Sequence, residues 1–158
     1  PDGSGSFTVN IGLIRDNYPE MGIILAPALN RLFIGARNEG AFEYSDERIL
    51  PLMPRKLTLE NRIAIASTSH RDSQTDEWLL AHNVTKTIRA GSSVKFCLVA
   101  SGEADFYPRF GPTMEWDTAA GDAILRAAGG MTYTNDDAQF QYGKDAYRNT
   151  AFIAKAQP

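Results

Sequence analysis

Residues 7–44 consist of short apolar segments separated by turn residues, and this spacing constrains the fold more than any other feature of the chain. In the first segment, 7–13, apolar side chains alternate with polar or small ones, which is the period of a strand with one buried face. Further strand-like runs occupy 21–26, 31–36 and 41–44, and the turns between them are rich in Asn, Asp and Gly. Short strands joined by tight turns predict an antiparallel meander.

Beyond residue 50 the pattern changes to an alternation of strands and helices. The proline-containing stretch 51–62 predicts a linker between part of an N-terminal antiparallel sheet (7–50) and a C-terminal α/β domain (63–158), while 1–6 has linker composition. The predicted strands are 63–66, 84–88, 104–110, 131–134 and 151–154, and the predicted helices are 76–82, 94–101 and 118–128. We therefore expect an α/β fold in layers, an antiparallel β meander followed by a mixed sheet flanked by helices.

Polar residues that can cap helices mark the predicted helix starts. Thr75 is the expected N-cap of the first helix and Asp117 that of the third. Ser92 or Ser93 is the expected cap of the helix between them.

Composition restricts the kind of ligand and the compartment. A net charge of −3 argues against a broad nucleic-acid or membrane surface, so a phosphorylated ligand would meet a few local cations. The single cysteine, Cys97, excludes a disulfide framework; it lies in an apolar run and is predicted to be buried. This usage fits a reducing cytoplasm, and no run approaches the roughly 20 apolar residues of a membrane span.

The segment EWDTAAGDA at 115–123 combines a carboxylate with small residues at a strand-to-helix junction. Asp117 would lie beside the unpaired N–H groups of the helix start and could offer an oxygen to a hard cation such as Mg²⁺. Asp117 could equally only cap its helix, and the two roles are compatible. The small residues that follow would let the helix approach a neighbouring backbone closely.

This segment resembles the W-D-x-A-A-G signature of the inositol monophosphatase superfamily. Other segments resemble its 3'(2'),5'-bisphosphate nucleotidase branch in the same order: FTVNI at 7–11, AP at 26–27, STSH at 67–70, GSSVKFCLVA at 91–100 and YPRFGP at 107–112. The resemblance covers nearly the whole chain and is to the C-terminal portion of such enzymes. It implies a layered α-β-α-β sandwich of the sugar-phosphatase type, Mg²⁺ as cofactor, and hydrolysis of the 3'-phosphate of adenosine 3',5'-bisphosphate, linked to sulfate assimilation.

The resemblance also implies where the phosphorylated substrate binds. The backbone N–H groups and hydroxyls of Gly91, Ser92 and Ser93 would bind a phosphate oxygen at the start of the helix. Alternatively, the two serines could only cap the helix. Lys95 would add a positive charge, or could be a solvated surface lysine.

Two further positions complete the implied substrate site. Ser69 and His70 lie on a loop after a strand and are expected to contact substrate. Arg109 replaces a glutamate that is typical of the inositol-specific branch. Its planar guanidinium group can donate two parallel hydrogen bonds to a second phosphate of the substrate. The alternative for Arg109 is a salt bridge to one of three acids, Glu103, Asp105 or Glu115.

Most of the catalytic metal ligands of the resembled family come from upstream motifs, including D-P-x-D-G-[ST], of which Asp2-Gly3-Ser4 matches only the tail. We therefore expect no catalytic residue in this chain, Asp117 as its metal ligand, and near inactivity of the chain alone. The chain opens with Pro1 and is expected to be a fragment. Its expected partners are the remaining N-terminal portion, or another copy through an exposed sheet edge.

Two alternatives to the bisphosphate nucleotidase remain open. One is an inositol monophosphatase or a broader sugar-phosphate phosphatase of the same fold. The other is a catalytically inactive nucleotide-binding fragment. Neither nucleic-acid polymers nor an integral membrane segment is expected in any of these cases.

Overall fold

The first sheet is a five-stranded antiparallel meander in a computed structural model that describes residues 7–67 and 72–156. Its strands, in spatial and chain order, are β1 (Val9–Arg15), β2 (Tyr18–Ala26), β3 (Arg31–Ala36), β4 (Gly40–Ser45) and β5 (Arg48–Pro51). The turn residues Asp16, Asn17 and Asn38 take left-handed φ angles, as tight hairpins require. The predicted meander is confirmed, but β5 was missed because its proline suggested a linker. Pro51 ends an edge strand, a position where a missing N–H is tolerated.

The second sheet is mixed and has the strand order β7-β6-β8-β10-β9. Its strands are β6 (Arg62–Ser67), β7 (Val84–Ala90), β8 (Phe106–Arg109), β9 (Met131–Thr134) and β10 (Phe152–Lys155), and the helices are α1 (Ser73–Ala81), α2 (Val94–Ala100) and α3 (Glu115–Ala127). β6 pairs in parallel with β7 and β8, whereas β10 is antiparallel to β8 and β9. Among the described residues, no helix has the length and apolar content needed to cross a membrane.

The helices form two layers around the second sheet. On one face Ile65, Tyr107 and Phe152 pack into the main core together with α2 and α3. On the other face Ala64, Phe106 and Ile153 pack against Leu79 of α1. Since α3 also packs on β1, β2 and β3, the order is α1, second sheet, α2 with α3, and first sheet. The predicted layered α/β fold is confirmed.

A row of glycines lets α3 lie directly on the first sheet. Gly12, Gly22 and Gly35 are cross-strand neighbours on β1, β2 and β3. A Cβ atom on Gly35 would lie 2.7 Å from the Cα of Ile124, and one on Gly22 would overlap the carbonyl oxygen of Ala120. The close approach expected from the small residues of this helix is therefore present.

The helix starts differ from those predicted. α1 begins earlier, with Asp72 as N-cap accepting the Thr75 N–H at 2.8 Å, so Thr75 is not the cap. α3 begins at Glu115, and Asp117 occupies its third position, where its carboxylate accepts the Met114 N–H at 2.8 Å. An aspartate at this position accepts the N–H of the N-cap residue, whereas an aspartate at the N-cap accepts the N–H of the second or third helical residue. Aspartate is favoured at both positions, so the residue type alone could not separate them.

The predicted serine cap of α2 is also wrong. Ser93 stands at the N-cap position, but its φ and ψ of −72° and −9° are already helical and its side chain makes no capping hydrogen bond. A helical backbone points the hydroxyl away from the N–H groups that a cap would satisfy.

The two sheets share one apolar core. Ile24 and Phe33 of the first sheet belong to the same cluster of buried residues as Ile65 and Phe152 of the second. Leu52, which follows β5, is also buried in this cluster. The division into 7–50, 51–62 and 63–158 stays a prediction, with β5 extending one residue into the expected linker.

Candidate functional site

Four of the predicted site residues converge where β8, α2 and α3 meet. The Ser93 hydroxyl donates to the Asp117 carbonyl oxygen at 3.2 Å, which links the start of α2 to the first turn of α3. The ammonium of Lys95 lies 5.3 Å from the ring centre of Tyr107. Burial raises the pKa of Tyr107, and both Arg109 and Asp117 lie close enough to act on that pKa as well. The structure therefore places Lys95, Arg109 and Asp117 near one buried tyrosine, with Ser93 bonded to Asp117.

Lys95 is a buried cation. It is only 7% exposed, so the alternative of a solvated surface lysine is wrong. Desolvation, aided by repulsion from Arg109, lowers the pKa of Lys95 to about 8. Within residues 7–67 and 72–156, no carboxylate forms an ion pair with it. The site thus holds a positive charge that the described part of the protein leaves uncompensated.

Arg109 is half-buried at the end of β8 and is also incompletely satisfied. Its Nη2 donates to the Pro112 carbonyl oxygen at 3.4 Å, whereas its Nε is buried without a hydrogen-bond partner among the described residues. A buried donor of this kind normally has a partner, so the Arg109 Nε is available to a ligand or a water. Asp72 lies near Arg109. A hydrogen bond from Thr75 lowers the pKa of the Asp72 carboxyl group, and the positive charge of Arg109 lowers it further.

The salt bridge considered for Arg109 is not present. The three acids have other partners: Glu103 pairs with Arg31, Asp105 with Arg55, and Glu115 with Lys144.

Gly91 and Ser92 lie in the loop between β7 and α2. Ser92 takes a left-handed φ of 54°, and its hydroxyl is hydrogen-bonded to the hydroxyl of Thr8. Both loop residues line a cavity of about 280 Å³ whose wall includes Phe7 and Leu29. Ser92 therefore ties this loop to the first sheet, and its contact with a phosphate stays a prediction.

Ser69 and His70 lie outside the described residues, as does the Asp2-Gly3-Ser4 segment. Their assignments stay predictions. The described chain resumes at Asp72, beside Arg109.

A set of polar contacts that the sequence did not reveal holds the first turn of α3. Glu115 is buried and accepts the N–H groups of Gly143 and Lys144 at 3.0 and 2.9 Å, and the Lys144 ammonium at 2.9 Å. Although burial acts to raise the pKa of Glu115, these hydrogen bonds lower it overall. Asn149 Nδ2 donates to the Met114 carbonyl oxygen at 2.8 Å. The partners lie roughly 30 residues downstream in the chain, a separation that no local pattern encodes.

Trp116 is 62% exposed, and its ring is 6.4 Å from that of Tyr147. Since it directly precedes Asp117, it lies on the outside of the same turn.

The described residues fit part of a magnesium site. Asp117 is exposed, and one of its oxygens accepts the Met114 N–H. Within the described ranges there is no group of three or more His, Cys, Asp or Glu side chains that could hold a metal. Mg²⁺ is commonly bound by one or two carboxylates together with substrate phosphates. One ion shared between Asp117 and a phosphate fits this arrangement, whereas a multi-ion centre needs ligands that these residues do not supply.

The fold and the site define a layered α/β protein in which two neighbouring cations, Lys95 and Arg109, lie near the exposed carboxylate of Asp117. A scan for known families assigns residues 2–157 to the inositol monophosphatase family, and the chain belongs to that family. The predicted family and its bisphosphate nucleotidase branch are both supported by similar proteins.

Among curated proteins, the 3'(2'),5'-bisphosphate nucleotidase CysQ of Shigella flexneri is 35% identical over 150 residues, which are 94% of this chain and 60% of that protein. An uncharacterised Rhizobium leguminosarum protein is 61% identical over 67 residues, 42% of this chain and 70% of that protein. The chain thus spans about 60% of the length of the CysQ relatives it matches.

Among solved structures, CysQ from Bacteroides thetaiotaomicron has a TM-score of 0.87 and 38% identity, covering 98% of this chain and 64% of that one. An inositol monophosphatase from Anabaena has a TM-score of 0.78 and 27% identity, covering 97% of this chain and 60% of that one. Both likenesses place the described layers in the same fold.

Proposed function

We propose that this chain is the substrate-binding part of a Mg²⁺-dependent phosphatase that removes the 3'-phosphate from adenosine 3',5'-bisphosphate, in sulfate assimilation. The CysQ relatives, which are 3'(2'),5'-bisphosphate nucleotidases, support this proposal. Because those relatives are longer, the activity is proposed for a protein that supplies further metal ligands, and the chain alone is expected to be nearly inactive. The single buried cysteine supports a cytoplasmic location.

The observation that carries the proposal is a pair of neighbouring cations, Lys95 and Arg109, with which no described carboxylate forms an ion pair. Desolvation, together with repulsion from Arg109, lowers the pKa of Lys95. Burying like charges together is unfavourable unless an anion binds between them. A nucleotide with two phosphates can place one beside these cations and the other beside Asp117. An inositol monophosphate has only one phosphate, so it cannot fill both positions.

Each residue then has a distinct proposed role. Arg109 can contact a phosphate through two parallel N–H groups, and Lys95 adds a point charge. Ser93 donates a hydrogen bond to the backbone carbonyl oxygen of Asp117 and so fixes the position of the first turn of α3. Asp117 would hold the cation, which when bound polarises the scissile phosphate and activates water. Gly91, Ser92, Ser69 and His70 are proposed to complete the substrate contacts.

A chimaera tests the function. The unmatched part of the Shigella flexneri relative, joined to this chain, should release phosphate from adenosine 3',5'-bisphosphate in Mg²⁺ in preference to inositol 1-phosphate. Arg109→Glu should remove that preference selectively, while Asp117→Asn should abolish turnover of both substrates. A chimaera that prefers inositol 1-phosphate, or one that keeps its activity with Asp117→Asn, would contradict the proposal. Tight nucleotide binding without turnover would favour a non-catalytic nucleotide-binding module instead.

A further inference from the structure

The carboxylate of Asp117 is bonded to the residue that precedes α3. The Asp117 Oδ2 atom accepts the Met114 N–H at 2.8 Å, and the Asp117 N–H donates to the Met114 carbonyl oxygen at 2.9 Å. These two hydrogen bonds fix one carboxylate oxygen against the backbone, and so they set the direction in which the other oxygen, Oδ1, points. The orientation of the Asp117 side chain therefore depends on where Met114 lies.

Asn149 holds Met114 from outside the helix. It lies in the connection between β9 and β10, 35 residues after Met114 in the chain, and is only 7% exposed. Its Nδ2 donates to the Met114 carbonyl oxygen at 2.8 Å, and its backbone N–H donates to the Thr113 carbonyl oxygen at 3.0 Å. An isolated β-bridge between Met114 and Arg148 joins the same two segments. The backbone before α3 is thus tied to a distant part of the chain.

The same amide group also contacts the residue that follows Asp117. Asn149 Nδ2 lies 3.2 Å from the Thr118 hydroxyl oxygen, so this one group contacts α3 on both sides of Asp117. By contrast, Asn149 Oδ1 is buried without a partner among the described residues. An unpaired buried acceptor lowers stability, and an apolar side chain of similar size would avoid that cost. Packing alone therefore does not account for an asparagine here, whereas its Nδ2 donors do.

We propose that Asn149 is a positioning residue for Asp117: by holding Met114, it keeps the Asp117 carboxylate directed at the bound cation. This inference rests on the proposed function, in which Asp117 holds Mg²⁺. Residues that orient a metal ligand from behind typically contribute about 10–100-fold to metal affinity or activity. Every contact in the path from Asn149 to Asp117 joins two described residues, so the path needs no further segment of the protein.

Three-bond NMR couplings to the Asp117 carboxyl carbon test this role in the 158-residue chain, without metal or substrate. They report the side-chain rotamer, which should be single in the unmodified chain and averaged over several in Asn149→Ala. The control is Tyr142→Phe, which removes a buried 3.0 Å hydrogen bond from the same connection to Asp122 but leaves Met114 untouched. This control should keep the single rotamer. A single rotamer in Asn149→Ala, or averaging in both variants, would overturn the proposal.

The chimaera with the Shigella flexneri relative gives a second readout. There, Asn149→Ala should raise the Mg²⁺ concentration for half-maximal rate by about 10-fold or more, while the rate at saturating Mg²⁺ stays nearly unchanged. Tyr142→Phe should change neither quantity. An unchanged Mg²⁺ dependence in Asn149→Ala would also overturn the proposal. A chimaera without phosphatase activity would contradict the proposed function, whereas the couplings would still decide the role of Asn149.

The unmodified chain decides the question if Asn149→Ala does not fold. The Nδ2 protons of Asn149 should exchange with water more slowly than those of the exposed Asn135 in the same connection, because they are buried and hydrogen-bonded. Slow exchange together with a single Asp117 rotamer would support the proposal. Equally fast exchange at the two asparagines, or averaged Asp117 couplings in the unmodified chain, would refute it.

Discussion

Replacing Gly22 by alanine should destabilise the protein, because this glycine lies under α3. The new Cβ would overlap the Ala120 carbonyl oxygen and lie 2.8 Å from its carbonyl carbon. Carbon atoms pack best at about 3.5–4.0 Å, so the helix and the strand would have to separate by roughly 0.7 Å or more. The obstacle is backbone on both sides, so no side chain can rotate out of the way.

The expected loss in the free energy of unfolding is about 2–3 kcal/mol, the upper part of the range of about 1–3 kcal/mol for overpacking a core, because the obstacle is backbone; this figure includes a small gain from a less flexible unfolded chain. For a chain of this size that loss corresponds to a fall in Tm of roughly 5–10 °C. Urea denaturation and calorimetry, at one protein concentration, measure both quantities.

Gly111→Ala provides the matched control. Its new Cβ would meet only the Arg109 side chain at 3.6 Å, an ordinary contact, and the backbone there needs no left-handed φ. We expect this variant to stay within about 0.5 kcal/mol of the parent protein. If Gly22→Ala were equally stable, the close seating of α3 on the first sheet would be refuted.

Three further predictions concern the buried polar groups. The affinity for adenosine 3',5'-bisphosphate should fall above pH 8, by about 30-fold at pH 9.5, because Lys95 of the nucleotide-free protein then loses its proton. Calorimetric titrations measure this affinity, and Lys95→Arg should flatten its dependence on pH. Glu115→Gln should speed hydrogen exchange of the Met114 to Asp117 amides, because the contact of residue 115 with Lys144 weakens. The control Asp136→Asn removes an equal charge from an exposed group and should leave this exchange unchanged. Equal exchange rates in the two variants would contradict the role of Glu115 in holding the first turn of α3. Cys97 should resist a thiol reagent at pH 8 until urea unfolds the protein, because burial raises the pKa of its thiol; fast labelling of the folded chain would contradict this burial.

Local patterns predicted the meander and the alternation of strands and helices well, because each strand carries a period-two pattern bounded by turn residues. β5 escaped prediction because a four-residue strand containing Pro51 looks like a linker until β4 is there to pair with it. The start of α3 was misplaced because an aspartate is favoured both as a cap and within the first turn, and Asp117 lies in the first turn, where it accepts the Met114 N–H.

The site was predictable only in part. The residue types of Lys95, Arg109 and Asp117 suggested anion and cation binding, but nothing local indicated that Lys95 would be buried. Its burial arises from the packing of α2 against α3 and the second sheet, which is a tertiary effect. The contacts of Glu115 and Asn149 likewise join segments far apart in sequence.

The central claim is that Lys95 and Arg109 together bind an anion. The most direct test follows the Lys95 side-chain carbon signals by NMR against pH, with and without millimolar adenosine 3',5'-bisphosphate. Without the nucleotide the pKa of Lys95 should be about 8, and with it the pKa should rise towards the ordinary lysine value as the phosphate stabilises the ammonium. Identical titration curves in the two samples would contradict the claim.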